Sequence, residues 1–204
     1  MKITKLIHSC LVVETPGASA LFDPGNFSWS SGLVKVNKLP KLDYLVITHN
    51  HADHLDEDFV EAVVERFPDI KLAANREVRE QLAKLNLDSA DDTCLEFDAP
   101  HEKLPMPGKP PANSGWHFGQ FSHPGDSLHF DETRKVLALP YVAPWGSTTE
   151  AVELAAKLKP EYVIPIHDWH LNDQARQWYA GLLERALSGF GVEVLDIENG
   201  PVEL

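Results

Sequence analysis

The chain has 204 residues, 43% hydrophobic and 24% charged, with a formal net charge of -13. That length supports one domain with a substantial core, here expected over residues 1–204, and the composition is that of a soluble globular protein. The acidic balance disfavours nucleic acid or an anionic membrane surface as a partner, because no basic patch offsets the repulsion of phosphates; a small-molecule substrate, anionic ones included, fits better.

No apolar run approaches the ~20 residues of a membrane helix. The N-terminal segment breaks its apolar stretch at His8-Ser9 and runs into Glu14, without an h-region or cleavage site, so a cytoplasmic protein is expected. The two cysteines, Cys10 and Cys94, lie far apart in apolar segments. They read as buried, reduced thiols rather than as a disulfide framework or a zinc ribbon.

In chain order, alternating and apolar runs predict strands over 3–7, 10–14 and 19–22, with turns at Thr15-Pro16-Gly17-Ala18 and Asp23-Pro24-Gly25. Residues 26–39 read as a loop with one helical turn, stopped by Pro40. A strand over 44–48 follows, then a helix that opens with acidic residues at 56–58 and ends at Pro68. The pattern continues with a strand at 70–74, a helix at 77–85 and a strand at 93–97. Five prolines and one glycine between Pro100 and Ser114 mark an aperiodic surface loop beside His101, a lid candidate. Strands at 116–122 and 135–139, a helix at 149–158, a strand at 162–166, a helix at 173–187 and a closing strand at 192–197 complete the chain. Alternation through both halves predicts an α/β protein whose sheets carry helices on their outer faces.

The chemistry concentrates in Thr48-His49-Asn50-His51-Ala52-Asp53-His54, directly after the apolar run 42–47. Imidazoles and carboxylates are expensive to bury unless paired or bound to a metal, and a single catalytic zinc takes only three protein ligands. His49, His51, Asp53 and His54 therefore point to two ions. In extended backbone i and i+2 face the same way, so His49 and His51 can share one ion while the turn into the helix swings Asp53 and His54 towards another. Further donors recur just past predicted strands: His101, Asp126 and His167. Imidazole and carboxylate ligands suit Zn²⁺ first, with Mn²⁺ or Fe²⁺ as alternatives.

This pattern resembles the metallo-β-lactamase superfamily, whose signature His-x-His-x-Asp-His stands here as His49-Asn50-His51-Ala52-Asp53-His54. Ala99-Pro100-His101, Gly125-Asp126-Ser127 and Ile164-Pro165-Ile166-His167 are similar to its later elements. His8-Ser9 and Leu21-Phe22-Asp23-Pro24 resemble the small hydrolases related to ascorbate-6-phosphate lactonase, with Ile7 where glycine is usual and Ser127 where threonine is commoner.

The resemblance implies an αβ/βα four-layer sandwich, the metallo-β-lactamase fold, with two mixed β-sheets between helical layers. It implies one ion on His49, His51 and His101, a second on Asp53, His54 and His167, and Asp126 bridging. Asp53 and Asp126 would then be the catalytic carboxylates of a dinuclear hydrolase, in which a hydroxide bridged between two metal ions attacks a small ester, lactone or phosphoester. His8 and Asp23 read as residues orienting those ligands. Tyr141, Trp145 and His170 read as candidates for the substrate pocket, with Tyr141 or His170 protonating the leaving group. His117, His123 and His129 are expected to face solvent or pack in strands. Two other activities stay open on the same scaffold: a mononuclear iron oxidoreductase of the sulfur dioxygenase kind, and a phosphodiesterase or nuclease.

Overall fold

The computed structural model describes residues 1–195 and 200–204. The N-terminal half opens with an antiparallel meander of β1 (Lys2–Ile7), β2 (Cys10–Glu14) and β3 (Ser19–Phe22). A five-residue α1 (Asn26–Ser30) and a 3-10 turn (Val36–Lys38) occupy the expected loop. Then β4 (Tyr44–Ile47), α2 (Glu57–Arg66), β5 (Lys71–Ala74) and α3 (Arg76–Gln81) follow, with β3, β4 and β5 parallel.

The C-terminal half repeats this plan. β6 (Cys94–Phe97), β7 (Gly115–Phe118) and β8 (Phe121–His123) are antiparallel; β9 (Val136–Pro140) and β10 (Tyr162–Ile166) then run parallel to β8. The helices α4 (Thr148–Leu158) and α5 (Asp173–Leu187) alternate with these strands, and β11 (Glu193–Val194) closes the second sheet. The two sheets, as described, have the orders β12-β1-β2-β3-β4-β5 and β11-β10-β9-β8-β7-β6, with β12 at Val202–Glu203. No helix of the described residues is long and apolar enough to cross a membrane.

Period-two alternation builds the layers. In β4, Tyr44 and Val46 face the second sheet, meeting a core that includes Phe22, Trp116, Phe118, Phe121, Ala138 and Ile164. Leu45 and Ile47 point the other way, under Phe59, Val60 and Val63 of α2 and Val78 of α3. Likewise Leu137, Leu139 and Val163 pack under Ala151, Leu154, Leu183 and Leu187 of α4 and α5. A strand buried on both faces reads as a continuous apolar run, which is how β4 and β9 stand in the sequence. The architecture is the predicted helix–sheet–sheet–helix sandwich.

Several boundaries depart from expectation. The strand expected over 116–122 is a hairpin, because Gly119, at φ +57°, and Gln120 form a two-residue turn that pairs Phe118 with Phe121. The helix expected over 77–85 breaks after Gln81 into a 3-10 turn, Ala83–Leu85, ended by Asn86 in the left-handed region. Of the closing strand expected over 192–197, only Glu193–Val194 pairs, and 196–197 lie outside the described residues. β12 has no signal in the sequence and exists by pairing with Lys2 and Ile3. Cys10 and Cys94 are both free and buried, and burial pushes the Cys94 thiol up to about 12.

Phe22 is fully buried between the sheets, its ring 5.1 Å from that of Phe121 and 5.5 Å from that of His123. Phe22→Ala is expected to destabilise the protein by about 3–5 kcal/mol, read from urea unfolding midpoints; a cost below ~1 kcal/mol would mean that the inter-sheet core is not closed there.

Candidate metal centre

The pairing pattern puts the C-terminal ends of β1, β3 and β4 on one edge of the first sheet, and those of β6, β8 and β10 on one edge of the second. His8, Asp23 and His49 follow the first three; His101, Asp126 and His167 follow the second three. Loops converge on ligands at such edges.

The loop from Thr48 to Asp56 is shaped by its own hydrogen bonds and by its neighbours. The N–H groups of His54 and Leu55 both reach the His51 carbonyl, at 2.9 and 2.8 Å, which turns the chain tightly and carries Asp53 and His54 away from His49. Asp56 then caps α2 by accepting from Phe59 N–H at 2.9 Å. The Asp23-Pro24-Gly25 turn lies flat against this loop: Asn26 N–H bonds to Ala52 O and Asp56 N–H to Pro24 O. A Cβ on Gly25 would sit 1.8 Å from the Asp53 carbonyl oxygen, so no larger residue fits. Gly125 has φ +63°, and a Cβ there would meet Asn113 Oδ1 at 2.2 Å. Asn113 ties the two later loops together, donating to Ala99 O and Pro124 O while accepting from Asp126 N–H.

Two groups of potential donors result, His49/His51/His101/Asp126 and His8/Asp53/His54/His167, with ligand atoms inside each group all within 4.8 Å of one another. The Asp126 carboxylate spans them. Its Oδ1 lies 3.0 Å from His54 Nε2 and 3.4 Å from His167 Nε2, while Oδ2 lies 3.6 Å from His101 Nε2 and 3.8 Å from His49 Nε2.

Fixed neighbours decide which ring nitrogens carry protons. Asp23 Oδ2 takes the Nδ1–H of His54 at 2.7 Å, Glu102 O that of His101 at 2.7 Å, and Val142 O that of His167 at 3.1 Å. Thr48 Oγ1 gives its own proton to Asp23 Oδ2 at 2.8 Å and so accepts Nδ1–H from His49 at 3.1 Å. Each of these four rings therefore aims an Nε2 lone pair inward. His49 Nε2 and His101 Nε2 stand 3.1 and 3.3 Å from His51 Nδ1, so two lone pairs converge on one nitrogen of His51. His54 Nε2, His167 Nε2 and Asp126 Oδ1 are buried and make no hydrogen bond among the described residues. Buried acceptors left unpaired cost about 1–3 kcal/mol each, so this convergence fits cations.

The electrostatics agree. Burial holds His49 and His51 below the usual histidine range, as neutral rings. At His54 burial opposes protonation, but the carboxylates of Asp126, Asp53 and Asp23 outweigh it and raise the ring well above its ordinary value. His167 is raised in the same way, against burial, by Asp126. Burial raises Asp126 and Asp53, yet the surrounding histidines, His54 foremost, hold both below the usual carboxylate range. A proton here competes with a cation for the same atoms.

His8 differs from the other imidazoles. Its Nδ1 accepts from Trp169 N–H at 3.3 Å, so Nε2 carries the proton and donates to Asp53 Oδ2 at 3.2 Å. Burial lowers His8 to about 4, keeping the ring neutral. His8 is thus placed to orient Asp53 rather than to ligate.

Of the pocket candidates, Trp145 stands beside both groups, its ring 5.2 Å from His167 and 6.3 Å from His101. His170 is exposed; among the described residues no ring contact or hydrogen bond joins it to the donor groups, though the charge of His167 reaches it. Tyr141 does not line the site: directly after β9 it enters the outer layer, 2% exposed in the core under α4 and α5, its ring 5.6 Å from that of Tyr179. His117 and His123 are buried in strands, on Ser122 Oγ and Ser9 O respectively, while His129 is exposed and bonded to Glu102. The loop after His101 is anchored at its far end, by Asn75 to Ala112 O and by Ser114 N–H to Thr48 O, and is exposed at its tip around Met106. Sequence reasoning missed Asn113 and Glu102. Glu102 ties His101 to the Asp126 loop through its backbone, and its side chain accepts from Leu128 N–H; only its adjacency to His101 could have flagged it.

Comparisons with known proteins place the chain. The sequence model described as a β-lactamase superfamily domain matches residues 2–167. Protein Rv0786c of Mycobacterium tuberculosis is 30% identical over 198 residues, spanning 90% of this chain and 91% of that protein. Among solved structures, the metallo hydrolase Igni18 of the archaeon Ignicoccus hospitalis superposes with a TM-score of 0.70 at 19% identity, covering 100% of this chain and 98% of that one. An isothiocyanate hydrolase from Delia radicum gut bacteria gives 0.68 at 16%, covering 100% and 99%. With the sandwich fold, the strand-end donor groups and the family match in agreement, the chain belongs to the metallo-β-lactamase superfamily.

Proposed function

We propose that this protein is a hydrolase acting on a small ester, lactone or phosphoester with the help of two divalent cations. His49, His51 and His101 would hold one, and Asp53, His54 and His167 the other. The observation that carries the reading is Asp126, buried between the two groups with one oxygen towards each. Hydrolytic activity in the names of two structural relatives on this fold agrees with it.

Cations held there would supply an acidified water, with a pKa of about 7, and a Lewis acid for the scissile carbonyl or phosphoryl oxygen. The chain's own residues do the rest. Neutral imidazoles would leave such cations most of their charge, and Asp53 and Asp126 would neutralise only part of it, so the loaded site would be a positive spot in an acidic protein. His51 and Asp53 are partly exposed while His49 and His54 are buried, so substrate approaches from the His51–Asp53 side. Trp145 supplies an apolar wall next to His101 and His167. A mononuclear iron site would use one donor group only, and both groups have their donors in place.

Elemental analysis of freshly purified protein is expected to find two transition-metal ions per chain, and chelation to lower Tm by ~5 °C or more. No bound ion together with an unchanged Tm would sink the reading.

Screening the metal-loaded protein across lactones, phosphomonoesters, phosphodiesters, thioesters and β-lactams is expected to reveal a hydrolytic activity that Asp126→Ala reduces by about 100-fold or more. Equal turnover by the variant would show that the activity arises elsewhere.

Asp23→Asn turns an amide N–H₂ towards two donors, Thr48 Oγ–H and His54 Nδ1–H. The expected result is a loss of about 10–100-fold in metal affinity, measured by competition with a chromogenic chelator, at unchanged secondary structure by circular dichroism. Unaltered affinity would remove Asp23 from any role in the site.

A further inference from the structure

A cavity of about 170 Å³ opens beside His8; its wall includes Lys5, Asp168, Trp169 and Arg176 together with the apolar Leu6 and Leu33. We infer that it is an anion subsite, which takes a phosphate or carboxylate group on the Arg176 guanidinium. The space is that of roughly five or six waters at ~30 Å³ each, enough for such a group with part of its hydration.

The charges of the wall single out Arg176. Lys5 Nζ lies 2.6 Å from Asp168 Oδ2, and both side chains are almost fully buried, at 6% and 4% exposure, so the Lys5 ammonium is already engaged. Arg176 is only 18% exposed, and its one ion pair among the described residues runs from Nη1 to Asp173, itself 95% exposed. A pair so open to water is weak. The Nε–H and Nη2 side of the guanidinium makes no hydrogen bond among the described residues. That side of the guanidinium is left to the cavity and its solvent, and the planar fork matches carboxylate and phosphate oxygens bidentately.

The cavity's inner wall is fixed. Trp169 stacks on Phe27 at 5.7 Å, and its N–H holds His8. One imidazole thus separates the cavity from Asp53, since His8 Nε2 is 3.2 Å from that carboxylate and the His8 ring is 4.2 Å from that of His167. An anion seated on Arg176 lies next to the candidate metal centre. It is either a group carried by the substrate, a case that rests on the hydrolase reading, or a free anion bound beside the site.

Calorimetric titration of inorganic phosphate into the metal-loaded full chain separates the cases, comparing wild type with Arg176→Gln and Arg176→Lys at equal metal content and Tm. Saturable binding that weakens about tenfold or more in Arg176→Gln, and less in Arg176→Lys, is expected. Equal binding by wild type and both variants would put the phosphate on the cations and overturn the proposal, as would no binding by wild type. A second arm follows hydrolysis of neutral 4-nitrophenyl acetate. Competitive inhibition by phosphate that Arg176→Gln relieves identifies the substrate's own anionic group as the occupant; Arg176-dependent binding without effect on turnover identifies a free anion. Absence of any hydrolysis with Arg176-dependent binding intact would count against the hydrolase reading and leave the subsite standing.

Discussion

The carboxylate of Asp23 joins three parts of the molecule at one point. Oδ1 accepts from Thr48 N–H and Oδ2 from Thr48 Oγ–H and His54 Nδ1–H, all between 2.7 and 2.8 Å, in full burial. β3 ends there, β4 ends there, and His54, the last imidazole before α2, is aimed there. A buried carboxylate is tolerated only when its lone pairs are filled, and this one takes three donors. Through Thr48 it also orients His49, so one side chain sets the tautomer of a histidine in each donor group. Asp23 itself has φ +43°, a conformation that a non-glycine residue holds only where its surroundings fix it.

Around that point the fold is arranged as two copies of one plan. Each half runs two antiparallel pairings and then parallel ones, and each brings the same strand ends to the shared edge. The third strand of each half delivers a buried aspartate, Asp23 after β3 and Asp126 after β8. The first strand of each delivers an imidazole, His8 after β1 and His101 after β6. No sequence similarity announces this duplication. It is a repetition of topology, in which hydrophobic alternation is kept while residue identity drifts.

Legibility in the sequence follows the range of the interaction concerned. β4 and α2 stand out because apolar periodicity and an Asp cap are local signals, and the same holds for α4, whose Ser147 and Glu150 form a capping box. The donor residues were legible because their chemistry is rare and dense. The hairpin at Gly119-Gln120 was misread because a glycine within an apolar run looks like a weak strand until its pairing is known. Asn113 and Glu102 were invisible, since polar residues in a proline-rich loop have no pattern and their work is to hold backbone atoms of distant segments. Tyr141 was misplaced for a related reason: being next to the site in sequence says nothing about which layer a side chain just past a strand enters.

The two strand-end imidazoles, His8 and His101, show how backbone neighbours assign chemistry to equivalent positions. His101 gives its Nδ1 proton to a carbonyl, Glu102 O, and so presents a lone pair at Nε2. His8 meets an N–H instead, that of Trp169, which claims the Nδ1 lone pair and forces the proton onto Nε2. One ring becomes a donor of electrons to a cation position, the other a donor of a hydrogen bond to Asp53. Proximity alone would count His8 with Asp53, His54 and His167 as a fourth donor to a cation position; the direction of a single backbone N–H makes it instead the clamp that holds the Asp53 carboxylate in place.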